Sequence, residues 1–215
     1  MKYNLLNELK KEYNISLEHK MSWGMSQVEL IYEDVRKHIE KEASEGNRIT
    51  TISLDLIKKY LPEDVSKDDG YFIVQSFIEK LEKDSYYTVS NKKRLSFDLC
   101  GWDVPWVNKD VYDDFRNAVM SGDCEYDKCR LKFLEFVYLK LKETCDKARD
   151  TFTCDLVNRD VFGDCYSDYL ALDDSQIGIL FNEVRSALED SGVKVSVLTK
   201  DSIILGGWID GGLDG

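Results

Sequence analysis

The feature that most constrains this chain is that it matches itself. Thr51-Ile52-Ser53-Leu54-Asp55-Leu56-Ile57 returns as Thr151-Phe152-Thr153-Cys154-Asp155-Leu156-Val157 at an offset of 100. Ser96-Phe97-Asp98-Leu99-Cys100-Gly101-Trp102 returns as Ser202-Ile203-Ile204-Leu205-Gly206-Gly207-Trp208 at an offset of 106. Between them, Ile73, Val74, Phe77 and Leu81 align with Leu180, Phe181, Val184 and Leu188 at 107, keeping one helical face. Upstream, Leu5, Leu9 and Tyr13 map onto Val111, Phe115 and Val119, and Ile31, Val35 and Ile39 onto Val137, Leu141 and Cys145, all at 106. Matches in the same order along both halves predict two units, residues 1–103 and 107–213. The only two prolines act as punctuation: Pro105 falls between the units, and Pro62 closes a helix begun at Ser53.

Within the first unit the apolar spacing predicts a helix over 3–13 and a second over 27–43, with Val28, Ile31, Val35 and Ile39 on one stripe. A short β-branched strand over 48–52 follows, then a helix capped by Ser53, and then a helix capped by Asp68 or Asp69 that runs to about Lys83. Tyr86-Tyr87-Thr88-Val89 and Leu95-Ser96-Phe97-Asp98-Leu99 form a hairpin that turns at Ser90-Asn91-Lys92-Lys93. The second unit repeats this order with helices over 109–120, 131–148, 154–161 and 174–190, a strand near Thr151, and a hairpin of 193–197 with 203–205.

Helix, strand, helix, helix, hairpin resembles the winged-helix superfamily, with one extra N-terminal helix in each unit. The fold class expected is therefore α+β and helix-rich, with two tandem winged-helix-like domains that each end in a β-hairpin. The resemblance implies that the helix before the hairpin, 68–83 or 174–190, and the hairpin itself are the surfaces that meet a nucleic acid or a protein.

A chain of 215 residues, 43% apolar and 33% charged, can bury a core, which excludes a disordered tail. No secretory apolar region opens it, and no apolar run approaches the ~18 residues of a membrane span, so a cytoplasmic protein without membrane contact is expected. Six cysteines without a C-x-x-C pair read as reduced thiols. Cys124 and Cys129 have a spacing that zinc sites sometimes use, but packed or idle thiols are the preferred reading and no metal is assigned.

Net charge is −12, and phosphate affinity rests on Lys and Arg, so nucleic acid is the less favoured partner. Residues 1–103 carry 16 basic and 19 acidic side chains, whereas 104–215 carry 13 and 22. The first groove-facing helix mixes Glu79, Lys80, Glu82 and Lys83, which would set carboxylates beside phosphates. The exception is Lys92-Lys93-Arg94 at the first hairpin turn, where a wing touches a backbone, although basic turns also guard hairpin edges from pairing.

Catalytic raw material is sparse. His19 and His38 form no H-x-x-x-H or H-E-x-x-H arrangement, and no Walker loop, G-x-G-x-x-G or G-x-S-x-G occurs. Asn158-Arg159-Asp160-Val161-Phe162-Gly163 opens like a calcium loop, but Phe162 takes a ligand position and Tyr169 replaces the closing Glu. No catalytic residue and no cofactor is assigned.

Trp102 and Trp208 follow matching hairpins, where each would seal its hairpin against its own helices. Trp23 and Trp106 fall in expected connecting segments, where an indole packs between the units or awaits a partner. Residues 131–139 are apolar nearly all round, so this helix should be covered on both sides, either between the units or in a homodimer.

The expected function is that of a noncatalytic acidic binding protein, with a partner protein that presents a basic or apolar surface. In one version it inhibits its target by imitating nucleic acid, with Asp110, Asp113, Asp114, Asp123, Glu125 and Asp127 standing in for phosphates; a solvated acidic linker is the plainer reading of those residues. The alternative is a sequence-specific DNA-binding transcription regulator that uses Lys80, Lys83, Lys92, Lys93 and Arg94 of the first unit.

Overall fold

The computed structural model describes residues 5–61, 64–84, 87–107 and 109–207. The expectations for Pro62, Tyr86 and Trp208 lie outside the described residues. The chain divides into two compact units, Met1–Trp102 and Asp103–Gly215. Both are α+β and helix-rich, each with a small three-stranded antiparallel sheet.

Unit 1 opens on α1 (Leu5–Ser44), 40 residues of uninterrupted helix or about 60 Å at 1.5 Å per residue. This corrects the expectation of two helices and a connector. Residues 14–26 contain no proline and a single glycine, and Gly24 lies where the neighbouring helix comes closest. A Cβ there would sit 2.7 Å from the Phe72 carbonyl oxygen and 2.7 Å from Ser76 Oγ. Glycine therefore serves helix packing here instead of breaking the helix.

Next come β1 (Ile49–Ser53), α2 (Leu54–Lys58), α3 (Lys67–Asp84) and the hairpin β2 (Thr88–Lys93) and β3 (Ser96–Cys100). Ser53 caps α2 as expected, its side chain accepting from the Leu56 N–H at 3.2 Å. The cap of α3 is Ser66, in place of Asp68 or Asp69: its Oγ accepts from the Asp69 N–H at 3.1 Å and donates to Asp69 Oδ2 at 2.8 Å. β2 runs on through Lys93, with a bulge between Ser90 and Lys93 where Asn91 has φ +46°, so the chain turns at Arg94-Leu95 and not at 90–93. The sheet order is β1-β3-β2. Its inner face (Ile52, Phe97, Leu99) packs with Val28, Ile31, Val35 and Ile39 of α1 and Ile73, Phe77 and Leu81 of α3 among the buried residues of the unit.

Unit 2 contains α4 (Lys109–Ser121), α5 (Glu125–Asp146), β4 (Thr151–Asp155), α6 (Asn158–Phe162), a 3-10 turn (Gly163–Cys165), α7 (Tyr166–Ala171), α8 (Asp174–Asp190), β5 (Lys194–Leu198) and β6 (Ser202–Gly206). α5 starts six residues before the expected 131, and Cys154 belongs to a strand, not to the expected helix over 154–161. Sheet order is β4-β6-β5, and β5 also carries a bulge, between Val195 and Val197. Phe133, Val137, Phe152, Phe162, Leu180, Val184 and Ile203 form one buried cluster, in which Phe162 stacks on Tyr169 at 4.2 Å.

The backbone fixes which residues correspond. Ser53 pairs with Ser96 as Asp155 pairs with Ser202, and Leu54 N–H donates to Leu95 O as Leu156 N–H donates to Asp201 O. The first strands therefore match at 102, not at the offset of 100 that the sequence block suggests, while the hairpins match at 106 as read. The long helices end alike: Asn47 N–H donates to Glu42 O with Gly46 at φ +81°, and Arg149 N–H donates to Thr144 O with Ala148 at φ +53°. This sets their offset at 102 too, one helical turn from the expected 106.

Candidate functional site: a groove along the first helix

Apart from Ile49 on β1, the exposed large apolar residues described in unit 1 gather on α1. Ile15 (45% exposed), Trp23 (38%) and Leu30 (67%) fall, with His19, in a sector of about 80° around the helix at about 100° per residue. They line two adjoining hollows of about 550 and 340 Å³ that share Trp23 and Asp69. Glu12 stands at one end, and Asp64, Val65 and Ser66, from the segment leading into α3, stand at the other. Lys20 lies 3.6 Å from Asp69 and 5.0 Å over the Phe72 ring, which pins its ammonium against the α3 side. The result is an open groove of mixed lining, in which Ile15, Trp23 and Leu30 supply apolar surface and Glu12, Asp64 and Asp69 outnumber Lys20 in charge, suited to a segment that brings apolar and basic side chains together. Trp23 was expected in a connector; it stands mid-helix. Its neighbours in the groove were hidden because residues 14–26 do not read as helix until α1 is seen to be continuous.

The six acidic residues proposed from sequence fall in two groups along α4 and the turn after it. Asp110, Asp113 and Asp114 are exposed in the first turns of α4, while Asp123, Glu125 and Asp127 follow its end, about 20 Å further along at 1.5 Å per residue. Glu125 and Asp127 lie in the first turn of α5, where carboxylates complement the helix dipole. Asp127 also accepts from the Cys124 thiol and raises its pKa.

Three of the five basic residues proposed for nucleic acid are engaged at home. Lys80 Nζ lies 4.7 Å over the Tyr32 ring, Lys92 pairs with Glu82, and Arg94 pairs with Asp68 at 2.9 Å. Two of the three wing cations thus face carboxylates of the helix that would enter a groove, and a phosphate would have to displace them. Asp98, in β3 behind this wing, accepts from Thr51 Oγ1 and Asn91 Nδ2, both at 2.7 Å, which holds its carboxyl below the usual aspartate range.

Trp102 is fully buried, donates Nε1 to the Asn47 carbonyl at 2.8 Å and meets Tyr87 edge-on. Trp106, expected between units or at a partner, packs inside unit 2, with Nε1 2.7 Å from Ser191 Oγ and its ring 6.0 Å from Tyr138. The 131–139 stretch is not covered all round, because Leu139 is 59% exposed. Cys129 is buried in the unit 2 core and burial pushes its thiol up to about 12, whereas Cys124 is exposed. Among the described residues no group of three His, Cys, Asp or Glu side chains could hold a metal ion, and no helix is long and apolar enough to cross a membrane. Comparison with known proteins returned no matching family model, no matching curated protein and no matching solved structure.

Proposed function

We propose that the chain is a noncatalytic protein-binding module built of two winged-helix-like units, whose partner docks an amphipathic, basic segment in the α1 groove. The strand orders β1-β3-β2 and β4-β6-β5, each with helices between the first strand and a bulged hairpin, support the winged-helix part of this reading. The observation that carries the binding part is Trp23, a half-exposed indole between Ile15 and Leu30 in a groove also lined by Glu12, Asp64 and Asp69. Exposed tryptophans in grooves are the residues most often responsible for binding energy, and the net charge of −12 steers basic partners toward the chain. A target whose basic surface otherwise holds nucleic acid fits the same chemistry. The DNA-regulator reading is weakened by the Lys92–Glu82 and Arg94–Asp68 pairs.

Calorimetric titration with a 20-residue model peptide, apolar on one helical face and Lys/Arg-rich on the other, tests this against a duplex DNA titrated in parallel. The peptide should bind, and Trp23→Ala should weaken it about tenfold or more. Duplex binding that is lost on reversing Lys92, Lys93 and Arg94 to Glu, with no peptide binding, would replace this reading with the DNA-binding one.

A further inference from the structure

Among the described residues, Leu9 and Tyr13 near the start of α1 continue an apolar stripe into solvent, and Leu17 after them is only partly buried. Leu9 is 52% exposed and Tyr13 66%, although the same stripe is buried further along the helix at Val28, Ile31, Val35 and Ile39. At the offset of 102 that the backbone fixes, Leu9, Tyr13 and Leu17 correspond to Val111, Phe115 and Val119 of α4, all of them buried. In unit 2 the chain breaks after Ser121 and α4 ends as a separate helix, whereas in unit 1 the helix continues through Gly24, where Phe72 and Ser76 pack against it. A helical projection of this length, with its apolar side in water, is marginal unless another surface takes that side.

We infer that this arm is a self-association element, and that its occupant is the same arm of a second copy, lying antiparallel. Two features of the arm select that occupant. Leu9 and Leu17 flank Tyr13 at equal spacing, so a two-fold axis at Tyr13 sets each leucine against the other kind and closes an isologous contact. Residues 8–20 also hold Lys10, Lys11 and Lys20 against Glu8, Glu12 and Glu18, an even balance in a chain of net charge −12. The net charge of two such chains opposes their association, and the arm carries none of that excess. The stripe centres about 80° around the helix from Trp23, at about 100° per residue, so the pairing surface and the groove are neighbouring faces of α1.

Sedimentation of the full chain over a wide concentration range tests the inference. Wild type should rise from 24.9 kDa toward twice that mass, and Leu9→Glu with Tyr13→Glu should remain at the monomer mass with an unchanged circular dichroism spectrum and melting midpoint. Leu139→Glu, at one of the exposed apolar positions of unit 2, should dimerise like wild type. A wild-type chain that stays monomeric, or a dimer that persists in the Leu9/Tyr13 variant, overturns the inference. Neither result bears on the peptide titration, whose decisive residue is Trp23.

Discussion

The guanidinium of Arg130 lies 2.8 Å from the carboxylate of Asp103, and both side chains are almost wholly buried, 8% and 12% exposed. Arg130 Nε also lies 2.8 Å from Glu183 Oε2, so one cation joins the segment after the unit boundary to α5 and α8. The residue 102 positions earlier, Val28, is fully buried and apolar. One unit thus ties its helices with charge where the other uses a methyl-bearing side chain.

Removing the cation leaves a buried carboxylate alone, which is far worse than never having had the pair. Arg130→Ala is expected to destabilise unit 2 by about 3–5 kcal/mol, measured by urea unfolding. A loss below about 1 kcal/mol would show that the pair is solvated in solution.

Gly24→Ala exchanges a poor helix former for the best one, which alone would stabilise α1 by about 1 kcal/mol. The added Cβ meets backbone and hydroxyl oxygen at 2.7 Å, so α1 and α3 must separate. The expected outcome is a net destabilisation of about 1–3 kcal/mol in thermal or urea unfolding. A variant more stable than wild type would mean that the two helices do not approach so closely.

Asp98 gives unit 1 a pH dependence of known sign. Its folded pKa is depressed, chiefly by the Thr51 hydroxyl and next by Asn91, so its contribution is complete above the ordinary aspartate value of about 3.9 and disappears as pH falls through the lower folded value. Asp98→Asn should therefore be less stable than wild type at pH 7, with the gap closing below about pH 4. A gap that stays constant across an acid titration would contradict the assignment.

The cysteines should sort by burial under a maleimide at neutral pH. Cys124 and Cys145 are exposed and should label in the native protein, while Cys129 and Cys165 should wait for unfolding. Asp127→Asn should speed labelling at Cys124, because the carboxylate that favours its neutral thiol is gone. Rapid native labelling of Cys129, read by peptide mass mapping, would contradict the packing of α5.

What could be read from the sequence, and what could not, follows from periodicity. The helix over 174–190 is legible to the residue because Asp173 and Gln176 form a capping box and a clean apolar stripe follows. The offset of the long helices was misplaced by four residues and that of the first strands by two. Each error is close to one structural period, about 3.6 in a helix and 2 in a strand, so the apolar pattern matched in either register and only hydrogen bonding separates them. The groove was hidden by Gly24: a glycine flanked by Trp and Met reads as a break, and only the position of Phe72 shows why the helix needs it. The wing cations were visible, but their partners Asp68 and Glu82 lie 26 and 10 residues away, beyond any local pattern.

The most direct test of the protein-binding account is an affinity capture from cell extract using wild type and Trp23→Ala with Leu30→Ala side by side, each with and without nuclease. The account expects wild type to hold a discrete protein that survives nuclease and is absent from the variant. Capture that vanishes with nuclease, or that the variant retains in full, would contradict it.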